Sequence, residues 1–93
     1  MTDMDIADQL EDLFTNAGSA HHKAFIKTNG EDQEWPLWYV DYLKEKLAKM
    51  LNADFTKSEL VYLLVMVEKE RAMMAPGADW PAYYANFFIE RYL

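Results

Sequence analysis

Apolar residues recur along this chain at helical spacing. Ile6, Leu10, Leu13, Phe14 and Ala17 fall at i, i+4, i+7, i+8 and i+11, one stripe of a helix predicted from about Asp3 to Ala17. Asp5, Asp8, Glu11 and Asp12 take its other side. Gly18 suits a helix C-cap, and Ser19 can start a short second helix through about Thr28. Asn29-Gly30 reads as a turn or helix stop, and the acidic linker Glu31-Asp32-Gln33-Glu34 follows. The central helix is predicted from Trp35 to Leu51. Its broad apolar face holds Trp35, Trp38, Tyr39, Tyr42, Leu43, Leu47, Met50 and Leu51, opposite Asp41, Lys44, Glu45, Lys46 and Lys49.

The clearest local signal comes next. Thr56-Lys57-Ser58-Glu59 is a capping box, with Phe55 and Leu60 placed as its hydrophobic staple. The helix it opens runs to about Met74. From Leu60 to Val67 only Tyr62 is polar, so this segment is expected to be enclosed on several sides. Ala75-Pro76-Gly77 stops it, and a last helix runs from Trp80 to the C-terminus with Trp80, Tyr83, Tyr84, Phe87, Phe88 and Tyr92 on its apolar face. All glycines and prolines sit at proposed helix boundaries and no strand pattern competes. The fold class is therefore all-α: a single domain over residues 1–93, an irregular bundle of four main helices plus one short helix.

Two helix starts resemble each other. Glu34-Trp35-Pro36 aligns with Asp79-Trp80-Pro81 at an offset of 45 residues, and Trp38, Tyr39, Tyr42 and Leu43 then meet Tyr83, Tyr84, Phe87 and Phe88 without a gap. Proline is tolerated in a first helical turn, where its missing N–H would be unpaired anyway. Asp79 is the better cap by type; at the first copy glutamate caps poorly and Asp32 is placed to share the work. Identity outside these segments is poor, so a weak internal duplication of 35–43 and 80–88 and two convergent helix starts both remain open.

Charge and composition narrow the function classes. The net charge of −7 is concentrated in residues 1–34, which hold eight acids against two bases. Nucleic-acid binding needs a basic footprint, and an anionic membrane surface disfavours this chain for the same reason. No apolar run approaches the ~20 residues of a membrane span. An acidic N-terminus is wrong for a signal peptide, and a cytoplasmic location is expected. Without cysteine there is neither a disulfide framework nor a thiolate metal site.

Catalytic chemistry finds little footing. Ser19 and Ser58 are both explained by helix starts, no glycine-flanked nucleophile elbow exists, and no phosphate-cradling loop is present. No catalytic residue and no cofactor are therefore assigned. His21 and His22 are the only histidines; helical neighbours point ~100° apart, which argues against their sharing one metal. Asp32 and Glu34 complete the candidate metal set, but their spacing does not fit a calcium loop and a solvated, capping linker explains them more simply.

The aromatic stripes, which make the aromatic content 15%, read first as core rather than as the lining of a ligand cavity, and the excess of Tyr and Trp leaves room for an interface. Trp35, Trp38, Trp80 and Tyr84 are its candidate contacts, and a homodimer through the Trp-Pro helices is one form it can take. Asp8, Glu11 and Asp12 form a second candidate face, suited to a basic protein partner. The run Glu31 to Leu43, EDQEWPLWYVDYL, with His21-His22 upstream, resembles short, uncharacterised bacterial all-α proteins over the C-terminal three quarters of the chain. That resemblance implies a helical fold and no particular activity, so no functional residue is carried over from it. A small acidic protein-interaction module, an adaptor or regulator, is the expected function. The alternative is a small-molecule or metal-binding helical domain using His21, His22 and the acidic linker.

Overall fold

The structure, a computed structural model, describes residues 5–93. Four α-helices account for most of it: α1 (Ile6–Ala24), α2 (Trp35–Leu51), α3 (Lys57–Met74) and α4 (Trp80–Tyr92). A 3₁₀ turn, Ile26–Thr28, follows α1, and the described residues hold no strand. The helices close a ring: α1 lies along α4 and beside α2, and α3 completes the circuit between α2 and α4. No described helix is long and apolar enough to cross a membrane.

Each helix buries the inner part of its expected stripe, with Ile6, Leu13, Trp35, Trp38, Tyr39, Tyr42, Met50, Trp80, Tyr83 and Tyr92 only half-buried. Leu10, Phe14 and Ala17 come from α1, Leu43, Leu47 and Leu51 from α2, Leu60, Leu63, Leu64 and Val67 from α3, and Tyr84, Phe87 and Phe88 from α4. Val40 and Ala85 join them. In α3 the segment from Leu60 to Val67 is enclosed as its pattern implies, with Tyr62 alone left exposed, at 65%.

The capping signals are largely realised. The Thr56 hydroxyl accepts from the Glu59 N–H at 3.0 Å, and the Glu59 carboxylate accepts from the Thr56 N–H at 2.8 Å. Phe55 and Leu60 are buried in the same core. Asn52 ends α2 in the left-handed conformation that asparagine tolerates. Asp5 accepts from the Asp8 N–H at 2.9 Å and caps α1, so one of the acids counted on the polar face serves the backbone. Asp3, the expected start, lies outside the described residues. At the first Trp-Pro start Asp32 does share the work, its Oδ1 accepting from the Glu34 N–H at 3.0 Å. Asp79 makes no side-chain cap bond.

A second expectation fails alongside that of a cap from Asp79. Gly18 does not cap α1, and Ser19 does not begin a new helix; α1 continues through both to Ala24. The reason is tertiary. A Cβ at position 18 would lie 2.7 Å from Cζ2 of Trp80, so glycine is there to let the indole approach the helix. The short helix shrinks to the 3₁₀ turn, and the stripe Leu10, Phe14, Ala17 gains a fourth member at the next turn, His21, which is buried.

The capping box generates a test. Thr56→Ala should destabilise the protein by about 0.5–2 kcal/mol, with the denaturant dependence of unfolding unchanged. An unmoved midpoint in urea would show that the box contributes nothing to α3.

Candidate functional site

His21 is where an apolar stripe delivers a titratable side chain to the interior. Three rings surround it: Tyr39 stacked at 5.0 Å, Phe25 tilted at 4.8 Å and Trp38 edge-on at 5.0 Å. Its Nε2 lies 3.1 Å from Oδ2 of Asp32, and both side chains are largely buried. Asp32 gets there because the chain reverses sharply after α1. Asn29 and Gly30 both take positive φ, and the Gly30 N–H donates to the Phe25 carbonyl at 2.9 Å. Gly30 has a second reason to lack a side chain, because a Cβ there would sit 2.7 Å from Nδ1 of His22. The Thr28 hydroxyl, 2.7 Å from the Glu31 carbonyl, fastens the far side of the turn.

A second polar cluster faces the first from α3 and α4. Arg71 donates from Nε and Nη2 to the two oxygens of Glu68, at 3.0 and 2.7 Å, and from Nη1 to the Pro76 carbonyl. The Tyr84 hydroxyl donates to Glu68 at 2.7 Å. The Arg71 hydrogen bonds hold the Glu68 carboxyl below the ordinary carboxylate range, against the opposing effect of partial burial. Burial, then the Glu68 carboxylate, pushes the Tyr84 hydroxyl far up, so it stays a protonated donor throughout the physiological range. Among the described residues, no buried side-chain nitrogen or oxygen lacks a partner.

Between the clusters lies a cleft of about 330 Å³, lined by His21, Gly30 and Asp32 on one side, Glu68 and Arg71 on the other, and Trp35, Tyr39, Trp80 and Tyr84 as aromatic walls. The four rings form a chain of edge-to-face contacts. Trp35 meets Tyr39 at 5.9 Å, Tyr39 meets Trp80 at 6.2 Å, and Trp80 meets Tyr84 at 5.0 Å. Trp35 and Tyr39 stand one turn apart at the start of α2; Trp80 and Tyr84 hold the aligned positions at the start of α4. The two Trp-Pro segments therefore supply equivalent residues to one cavity. An adjoining groove of about 500 Å³ shares His21, Gly30, Tyr39 and Trp80 with the cleft and is otherwise lined by Thr15, Ser19, His22 and Asp79 among others.

The candidate residues thus separate into groups. His21 and Asp32 meet at the cleft. His22 is exposed and turned toward Gly30, and Glu34 is exposed. Among the described residues, no three His, Asp or Glu side chains are grouped closely enough to hold a metal ion. Trp35, Trp80 and Tyr84 line the cleft, while Trp38 packs beside it against His21 and is stacked on Tyr42 at 5.5 Å. Asp8 and Asp12 are exposed on α1 and Glu11 is half-buried. Glu68 and Arg71 are not among the residues singled out in the sequence. Their i, i+3 spacing just after an apolar run was the available signal. The chain matches no known family model, no curated protein and no solved structure.

The Glu68 cluster predicts a pH dependence. A carboxylate whose pKa is depressed in the folded state contributes stability above its unfolded pKa, near 4.3, and loses it as pH falls through the lower folded value. Glu68→Gln should therefore be less stable than the parent protein at pH 7, and the difference should shrink at progressively more acid pH. Parallel urea titrations from pH 7 to 2.5 measure it. A difference that does not narrow would assign the effect of the substitution to shape rather than charge.

Proposed function

We propose that this chain is a non-enzymatic binding module whose ligand enters the cleft between α1, α2, α3 and α4. One observation carries the reading. Matched aromatic pairs from two separate helix starts converge on a single cavity, and the polar groups around that cavity are already hydrogen-bonded to one another. Such a site is ordered before anything binds, which lowers the cost of binding. Its volume falls at the small end of the range for ligand pockets, ~300–1,000 Å³, and suits one small molecule or one inserted side chain. The polar lining is two paired clusters rather than a nucleophile beside a base, which supports recognition over catalysis.

This reading joins the two functions expected from the sequence. An interaction module can take a partner's side chain into the cleft, and a ligand-binding domain can take a free molecule. A screen of small fragments by amide and indole NMR shifts tests the site itself. Perturbations should concentrate on Trp35, Tyr39, Trp80 and the Asp32 linker. Hits that cluster elsewhere, or none at all across a chemically diverse set, would overturn the assignment.

A second reading concerns α1. Asp8 and Asp12 are an exposed like-charge pair one turn apart, an arrangement that costs a few tenths of a kcal/mol and that folding gives no reason to retain. A basic protein partner would gain encounter rate from it. Replacing Asp8, Glu11 and Asp12 with Asn or Gln should leave the fold intact while slowing association with that partner and flattening the salt dependence of the rate. An unaltered rate and salt slope would reduce the acidic face to a solvated surface.

A further inference from the structure

We propose that the cleft recognises a methylated ammonium group. The proposal rests on the cleft being the binding site and adds the chemistry of what fills it. Four aromatic side chains line the cavity, and successive rings are turned 80°, 85° and 70° from one another. Neighbouring walls set nearly at right angles give the cavity aromatic surface on more than one side. A cation gains from the π-electron density of aromatic faces, and indole faces offer the most.

The charges around the corner agree in sign. Asp32 and Glu68 place carboxylates in the lining. Arg71 is the one cationic residue there apart from His21, and all three of its guanidinium nitrogens are engaged, by the Glu68 carboxylate and the Pro76 carbonyl. Its charge is matched by Glu68. Setting His21 aside, the lining keeps one net negative charge at Asp32, and the whole chain carries −7. An anionic ligand would oppose both and would meet an Arg71 whose charge is already matched by Glu68.

Methylation follows from the walls. A bare ammonium is a compact, strongly hydrated charge, and in a partly buried aromatic corner its N–H groups would exchange water for ring faces. A trimethylammonium group spreads the same charge over an apolar surface with no N–H to satisfy, which is what aromatic cages use. The group has two sources, a free small molecule or a modified lysine on a protein, and the cleft chemistry is common to both.

The test uses the full chain and calorimetric titration at low ionic strength. The probes are choline, its uncharged isostere 3,3-dimethylbutan-1-ol, and matched peptides bearing trimethyllysine or unmodified lysine. Either choline or the trimethyllysine peptide should saturate a single site, and the tighter of the two identifies the source. The uncharged isostere and the unmodified peptide should each bind about tenfold more weakly or worse. Trp35→Leu, at a half-buried wall position, should lose the discrimination between choline and its isostere while retaining the helical circular dichroism of the parent. Equal binding of choline and its isostere, with shifts confined to the cleft, would overturn the ammonium assignment and leave the cleft standing as a binding site. Equal binding of the two peptides would overturn the requirement for methylation. Failure of every probe, alongside fragment hits in the cleft, would again remove the ammonium and keep the site; failure of every probe and every fragment would remove both.

Discussion

The indole of Trp80 lies so close to Gly18 that a Cβ there would stand 2.7 Å from its Cζ2, too close without a shift. That single contact organises the molecule. At that contact the start of α4 packs against α1, which runs on past the point where its glycine looks like a stop. Continuity in turn puts His21 on the buried stripe, one turn beyond Ala17, facing the interior rather than solvent. Trp80 also contacts Phe14, Tyr39 and Tyr84, so the same ring joins the hydrophobic core to the cleft. Dispersion over so large an aromatic surface outweighs the modest cost of a glycine inside a helix, about 1 kcal/mol.

Around that contact the polar chemistry is arranged in two closed groups. His21 with Asp32, and Arg71 with Glu68 and Tyr84, each satisfy themselves within hydrogen-bonding distance. Partly buried groups left unpaired would cost more than these bonds return. The pairing is therefore a condition for placing charge beside aromatic walls at all. The exposed ion pair between Asp41 and Lys57, at 3.1 Å, is a contrast: it links α2 to the start of α3 but contributes little in water.

Much of this was legible in the sequence because it is local. Helix α2 begins and ends where the Trp-Pro start and Asn52 place it, and α3 begins at its capping box. The alignment of the two Trp-Pro segments pairs Trp35 with Trp80 and Tyr39 with Tyr84, and the structure brings these four rings to one cavity. Gly18 was misread because a glycine needed for close packing and a glycine needed for a left-handed cap look identical in one dimension. The His21–Asp32 contact was hidden for a related reason. Both residues stood out, but the turn that joins them depends on Gly30 fitting against His22. Glu68 and Arg71 were visible only as helix surface, because nothing local announces that Tyr84 will come to meet them.

The turn itself carries a consequence for how this chain can vary. Loops at a protein surface ordinarily accept insertions and deletions at little cost. Here the segment between α1 and α2 is pinned at each end, by the Phe25 carbonyl that receives the Gly30 N–H and by the Asp32 oxygens that receive His21 and the Glu34 N–H. Its length is thereby as specific as its composition. One residue added or removed between His21 and Asp32 would shift the register of the linker, carry the carboxylate off the imidazole and open one wall of the cleft, even if every remaining side chain were kept.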